Sequence, residues 1–572
     1  MSGQPPTPKQ LHRSHHLSFF AHMGAVYLFH DIYGFLMEMS PDIVELIDAF
    51  ADGANTELTL ARFAGRFGDA DPAQFVDVLA AHFVLVEVEP DITDVAGDET
   101  EGIWPMAVFK SKWNVWQRRA ETLTLWTAWG DRPIQRILLD ADETKMWDAF
   151  DGEKRLAELR SKFDPAKLKA LVLRLTHSSV QACKLSLMPA STYAKRPGLT
   201  PKYLVSTMPY PSWQPGQALP GTRDGNVSPT DYYRNDVADA PAQFDHQETT
   251  LSHLLRVPHP ALNGRTYGQA MVDALLQRNF VTVVPGARPL RVAEIGAGLG
   301  YVAHDVIVRL RALGHTVDYT ILELSQTLAE AQTQRVGTDA RWIIGDVLAT
   351  EPPTTAFDII LCNEMIGDLP AEQHVRADLG LAEDTGSVDK DKLRLFGKGA
   401  ELAADWNVNF DDAPEPFYLL TGCFELIEKI SRWLAPGGCA VITEFGEYSQ
   451  WPKLSTHLDH PELSIHFGHL AQAATAAGLQ TKLEFVIDLL DFDRNVRGLA
   501  TTRSHFRALA AMCEAAGAAL PKLGYTPELF EQALGQHLKV ADIGEIRWDR
   551  IEDRLMGLVP HEFKALLARR PA

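Results

Sequence analysis

LRVAEIGAGLGYVAHDVIVRLRALG, residues 290–314, decides the fold. An apolar run ends at Ile295, glycines follow at 296, 298 and 300, and helical apolar spacing begins at Tyr301. That order predicts a buried strand, a sharp turn and a helix, the opening unit of a sheet wound on both faces. Glycines at such a turn let the backbone pass close to a ligand. The spacing is G-x-G-x-G, so the dinucleotide fingerprint G-x-G-x-x-G is not met. The Gly-Lys-Ser/Thr ending of a phosphate-binding loop is also absent. Glu294, just before the turn, would repel phosphate and suits a ligand carrying an ammonium group.

Outward from this unit the alternation continues. The expected strands are TVDYTILEL, ARWIIGD, FDIILCN, GCAVITEFG and LEFVIDLLDF. The expected helices between them are SQTLAEAQTQRVG and CFELIEKISRWLAPGG, and a helix over YGQAMVDALLQRNF leads in. The pattern predicts an α/β, doubly wound parallel sheet. Each of the first four strands ends on a polar residue: Glu294, Glu323, Asp346 (with Val347 after it) and Asn363-Glu364. In an open parallel sheet the ligand lies at these carboxyl ends. Glu323 can accept from two ribose hydroxyls and Asp346 from an adenine amino group, while Asn363 faces the amino-acid part. The set, with Gly296, Gly298 and Gly300, fits a nucleoside with an amino-acid tail, S-adenosylmethionine.

Composition sets the frame. The 572 residues are 46% hydrophobic and 23% charged, with a net charge of -21. Such a field repels nucleic acid and anionic membrane surfaces, and agrees with a basic partner. No apolar run approaches the roughly 18 residues of a membrane span. The first twenty residues have no signal-peptide pattern. The five cysteines are scattered without a C-x-x-C pair, which predicts a reduced, cytoplasmic protein with no metal site.

Four segments are expected. Residues 15–95 and 105–190 share a loose plan of strand, helix, F-x-D-G or F-D-G, two helices and strand, which reads as two small α+β winged-helix-like modules in tandem. In the first, Ser40 caps a helix with Pro41 at its first position and Gly53 at its end. In the second, Asp142 is the expected cap. Residues 191–245 are rich in Pro, Ser, Thr and Tyr and read as a linker or clasp. Residues 246–572 form the α/β domain, with an acidic insertion at 376–416 and a helical C-terminal part.

The stretch 246–500 resembles the MidA-like family of class I S-adenosylmethionine-dependent methyltransferases, a protein arginine methyltransferase family. The matching motifs are EIGAGLG at 294–300, LELSQTLAEAQ at 322–332, NEMIGDLP at 363–370, EFG at 444–446 and HFGHLAQAATAAGL at 466–479. Met365-Ile366, Gly367 and Glu444-Phe445 depart from the family's pattern on the side where its acceptor is expected. The resemblance implies a Rossmann-like sheet and S-adenosylmethionine as cofactor. It also implies methylation of a guanidinium; since a carboxylate grips that fork of donors bidentately, Glu364 is expected to hold it, helped by Asp368, with Glu444 a further candidate for the acceptor pocket. His466 and His469 fall in the family's downstream substrate region, where either could take a proton, although packed histidines are the commoner case.

The stretch VYLFHDIYGFLMEMSPDIVELIDAFADG, followed by a helix pair and FVLVEV, resembles the PqqD-like recognition element of peptide-modifying systems. The second module looks like a degenerate copy. That resemblance implies a ribosomally made precursor peptide as partner, its leader bound as an added strand; a homodimer stays open. The alternatives are methylation of another side chain or a small molecule, and a non-catalytic binding or assembly protein.

Overall fold

The computed structural model describes residues 10–22, 25–30, 36–67, 71–87, 103–111, 114–127, 133–177, 180–187, 189–193, 213–214, 217, 230–235, 244, 250–351, 354–380, 388–457, 460–499, 503–534, 545–547 and 563–572. The chain divides into two compact units. The first comprises residues 1–222, 507–519 and 534–544, and the second the remainder.

In the first unit one plan occurs twice. In the first copy, Gln10–Arg13 pairs antiparallel with Leu85–Val86, and Leu17–His22, Ala25–His30 and Leu36–Met39 form a meander. Helices Pro41–Asp48, Thr56–Phe63 and Pro72–Ala81 follow. In the second copy, Ala107–Lys110 pairs antiparallel with Cys183–Ser186, and Val115–Arg119, Thr122–Thr127 and Gln135–Leu139 form the meander. Helices Ala141–Ala149, Leu156–Arg160 and Pro165–Thr176 complete it. The pairing Leu11↔Ala54 in the first copy has its counterpart in the bridge Ala107↔Arg155. The two copies share the meander as well as the order of the helices.

Local chemistry explains the helix starts. Ser40 accepts from the Ile43 amide, with Pro41 at the first position, as expected. The helix stops at Asp48, however, before Gly53. In the second copy Asp140, not Asp142, is the cap. Its carboxylate accepts the Glu143 amide at 2.9 Å while Glu143 reaches back to the Asp140 amide at 3.1 Å. This reciprocal box satisfies two donors where Asp142 would satisfy one.

The second unit holds the expected Rossmann-like sheet. Its main strands are β1 Leu290–Ile295, β2 Val317–Glu323, β3 Ala340–Ile344, β4 Phe357–Asn363, β5 Leu434–Glu447, β6 Gln480–Phe485 and β7 Phe563–Arg569, in the order β3-β2-β1-β4-β5-β7-β6. An eighth short strand, Ile465–His466, runs beside the end of β5. The five strands from β3 across to β5 are parallel to one another, whereas β7 is antiparallel to both β5 and β6. The order reverses between β1 and β4, which opens the crevice where ligands bind in such sheets.

Two expectations are corrected here. VIDLLDF is not strand: β6 ends at Phe485, and Val486–Leu489 is a helical turn. The C-terminal part is not all helix, since β7 lies inside the sheet with Ala565, Leu566, Leu567 and Ala568 fully buried. The segment 191–245, read as a linker or clasp, is shared between the units. The unit boundary falls at 222. Trp213 donates its amide to Phe19 O in the first unit, while Tyr232, Tyr233 and Phe244 pack with Leu299 and Leu328 in the second. The insertion 376–416 is framed by the antiparallel pair Glu372–His374 and Phe417–Leu419. It contributes Leu379, Leu393, Ala400, Ala403 and Phe410 to the core. The Tyr33-Gly34 turn and most of the Pro-rich stretch lie outside the described residues.

Candidate active site

The strand ends converge on a cleft of roughly 1120 Å³, its open mouth included. Glu294, Gly296, Gly298, Glu323, Asp346, Val347, Asn363, Glu364 and Asp368 all line it. Gly300 and Glu444 do not. The residues the sequence spread over seventy-odd positions are therefore brought together, with two exceptions treated below.

The floor is the glycine turn. Gly296 has φ +68° and faces Met365, whose Cγ would lie 2.9 Å from an added Cβ. Gly300, at φ +78°, starts helix Tyr301–Ala312 and packs on Gln332, whose Cα would lie 3.2 Å from an added Cβ. Its role is close packing rather than ligand contact. The Gln332 it seats donates to Gly298 O at 2.9 Å and to Glu323 at 2.7 Å. Tyr301, which breaks the dinucleotide spacing, lines the cleft under the Arg335 guanidinium, 3.4 Å from its ring centroid.

Two carboxylates are buried at the ends of β1 and β2. Glu294 accepts the Tyr319 hydroxyl at 2.5 Å, and burial pushes its pKa up to about 7, against that bond and with repulsion from Glu323. Burial likewise lifts Glu323 to about 7, although the Ser325 amide and Gln332 bond it. Asp346 accepts the Leu348 amide at 2.8 Å and lies 3.8 Å from Arg234.

At the end of β4, Asn363 Oδ1 accepts from Tyr267 and Thr443, each at 2.8 Å, and its amide donates to Glu364 at 3.1 Å. Glu364 has φ +51°, a conformation that costs a non-glycine residue energy and recurs at functional sites. Its two oxygens accept the amides of Leu251 and Ser252 at 2.8 and 3.0 Å. Those amides open the short helix Leu251–Leu254, so the carboxylate caps a distant helix. The expectation that Glu364 grips the acceptor is corrected to this extent: both its oxygens already hold the segment that covers the cleft.

Glu444 is fully buried behind the NEMIGD loop, accepting the Gly367 amide at 3.3 Å and the Phe445 amide at 2.9 Å. Burial first, then repulsion from Glu462, Glu364 and Asp368, raises its pKa well above the carboxylate range. It supports the loop rather than facing the cleft. Gly367 is explained by its neighbour across the loop, because an added Cβ would lie 2.8 Å from Leu463 O. His466 and His469 do not line the cleft. Their rings stack at 3.6 Å, His466 Nδ1 accepts the His469 amide, and burial drives His469 down to about 3. They are core residues at the start of helix Phe467–Ala476.

Sequence reasoning missed Tyr233, Phe244, Ser252 and His253, which line the cleft, and Tyr319, Gln332 and His460, which hold or flank its walls. The aromatic content of the Pro-rich segment was the only local signal for the first two.

The donor set fits S-adenosylmethionine. Glu323 and Asp346 are acceptors for hydroxyl and amino groups, Glu294 supplies buried negative potential for a cation, and Val347, Leu299 and Leu328 give an apolar wall. Residues 275–458 match a family model described as "Putative S-adenosyl-L-methionine-dependent methyltransferase". The chain is an S-adenosylmethionine-dependent methyltransferase. Among solved structures, the methyltransferase is similar to a Burkholderia thailandensis protein described as a "likely methyl transferase" bound to S-adenosyl-homocysteine. Identity is 16%, covering 60% of this chain and 88% of that one, with a TM-score of 0.31. It is also similar to a phosphoethanolamine N-methyltransferase of Haemonchus contortus, at 14% identity, 63% and 62% coverage and a TM-score of 0.28. An amino pentose methyltransferase of Micromonospora echinaspora gives 13%, 39% and 87%, and 0.22. No curated protein matches the methyltransferase.

Proposed function

We propose that this methyltransferase acts on a cationic nitrogen, that of a peptide arginine, in a ribosomally made precursor whose leader is bound by the duplicated N-terminal modules. One observation carries the acceptor class. The end of the cleft beyond Asn363 is acidic: Glu364 and Asp368 line it, with Glu444 and Glu462 behind. Among the described lining residues there is no Lys or Arg. A guanidinium is a fork of donors, and carboxylates match it bidentately.

When bound, the cofactor supplies an electrophilic methyl group. The chain's own residues supply the rest. Asn363, clamped by Tyr267 and Thr443, fixes the wall between cofactor and acceptor. Asp368 is the carboxylate for the acceptor, because Glu364 holds the cover in place. Tyr233 and Phe244, above, exclude water. A second reading, a small cationic acceptor, is favoured by the engagement of Glu364, which leaves one lining carboxylate rather than two for a guanidinium fork.

The test is intact-mass spectrometry of arginine-containing precursor peptides incubated with the enzyme and S-adenosylmethionine. A methyl-mass gain that maps to arginine and depends on the leader is expected. Methylation of leaderless peptide at the same rate removes the recruitment reading. Methylation elsewhere removes the arginine reading.

A further inference from the structure

The antiparallel hairpin Leu454–His457 and His460–Leu463 brings a histidine that no sequence motif marked to the acceptor side of the cleft. His460 is 2% exposed. Its Nδ1 lies 3.1 Å from Pro461 O and 3.6 Å from Asp368 Oδ1. Its Nε2 lies 3.2 Å from the Tyr233 hydroxyl. Tyr233 and Asp368 both line the cleft. The imidazole is also packed against the Tyr232 ring, at 4.4 Å between centroids.

These partners fix the tautomer. The Pro461 carbonyl oxygen only accepts, so Nδ1 carries the hydrogen. In the neutral ring the lone pair is then on Nε2, and Tyr233 donates to it. The phenol oxygen is left with its own lone pairs beside the cleft. An imidazole held by a backbone carbonyl on one nitrogen and a hydroxyl on the other, with a carboxylate 3.6 Å away, is an oriented base acting through a hydroxyl.

We propose that His460, oriented by the Pro461 carbonyl and acting through Tyr233, takes the proton the acceptor nitrogen sheds on methylation. The inference rests on the nitrogen-acceptor reading above. A guanidinium that gained a methyl group and kept all its hydrogens would become a dication. As the carbon–nitrogen bond forms, the nitrogen's hydrogen passes to the Tyr233 oxygen, and the Tyr233 hydrogen passes to His460 Nε2. The imidazolium stays paired with Asp368 until it releases the proton to solvent, and the phenol is restored. The charged and titratable groups facing this ring are Asp368 from the NEMIGD loop and Tyr232 and Tyr233 from the helix Thr230–Asn235; Glu462 is on its own strand.

Two measurements test it. Long-range proton–nitrogen correlation spectra of histidine-labelled full-length enzyme read the His460 tautomer without any acceptor. A hydrogen on Nδ1 is expected, and one on Nε2 in the neutral ring would overturn the assignment. In turnover on whichever nitrogen acceptor the wild type methylates, Tyr233→Phe and His460→Gln should each lower kcat roughly 100-fold while cofactor Kd and acceptor KM move by less than about threefold. The limb of the pH–rate profile that reports a base should vanish in both. Unchanged kcat and profile, or equal losses in kcat and cofactor binding, would reject the relay. A wild type that methylates oxygen or carbon fails the nitrogen reading instead, which the mapped product reveals separately from the tautomer.

Discussion

Glu364 Oε2 lies 2.8 Å from the amide nitrogen of Leu251, a residue 113 positions earlier in the chain. The carboxylate at the mouth of β4 thus ties the start of the helix Leu251–Leu254 across the cleft, and Ser252 and His253 of that helix line it. A charge-assisted hydrogen bond contributes about 1.5–3 kcal/mol. Glu364→Gln replaces one acceptor oxygen by a donor that faces another donor. The expected result is a cofactor Kd raised roughly tenfold to a hundredfold. Hydrogen exchange should be faster at 250–255. Calorimetry and exchange mass spectrometry check both; an unchanged exchange rate would mean the tie holds nothing.

The paired carboxylates set a pH dependence. In the unliganded enzyme burial raises Glu294 and Glu323 to about 7, from an unfolded value of 4.5. Their contribution to stability is therefore complete below about 4.5 and is lost as pH rises through about 7. A cationic ligand favours the ionised forms, so binding near or below pH 7 must release protons. Cofactor affinity is expected to fall by up to about tenfold per pH unit per group as pH drops below about 7. The thermal shift given by the cofactor should grow from about pH 6 to about pH 8. Calorimetry across this range checks it, and Glu294→Gln should reduce the slope by about one.

The parallel half of the sheet was legible because its strands end in the same chemistry: apolar runs, then Glu294, Glu323, Asp346 and Asn363-Glu364. Periodicity and the glycine turn carry that signal. β7 was not legible. FKALLAR consists mainly of strong helix formers, and Lys564 argues against a buried strand. Tertiary context overrides both: Lys564 is 1% exposed because its amine reaches Glu447 at 2.8 Å and lies over the Phe485 ring. The site was half legible for a related reason. Residues on the strands could be read in order, whereas Tyr233, Phe244 and His460 arrive from a segment and a hairpin whose local sequence says nothing of where they fold.

β7 also yields a stability test. Leu566 is fully buried in the sheet, and Leu395 is 80% exposed. Leu566→Ala should cost about 2–5 kcal/mol, by lost transfer energy and the cavity left behind. Leu395→Ala should change stability by less than about 0.5 kcal/mol. Urea unfolding of the second unit's tryptophan signal measures both. Equal small effects would mean that β7 is not part of the cooperative sheet.

His469 separates a core histidine from a catalytic one. Its ring is enclosed by His466, Phe410 and Trp451, with centroids at 3.6, 5.0 and 4.9 Å. Burial, then repulsion from His466, lowers it from 6.5 to about 3. The unfolded chain therefore binds a proton below about 6.5 that the folded chain refuses until about 3. The stability this group contributes is present above about 6.5 and is lost as pH falls, by roughly 1.4 kcal/mol per pH unit. His469→Phe removes the titration and keeps an aromatic ring in the stack. It should flatten the acid side of the stability profile while leaving kcat within about threefold of wild type. Denaturant melts from about pH 7 to about pH 5, run beside the methylation assay, test both halves. A collapse in kcat with intact stability would return His469 to the acceptor side.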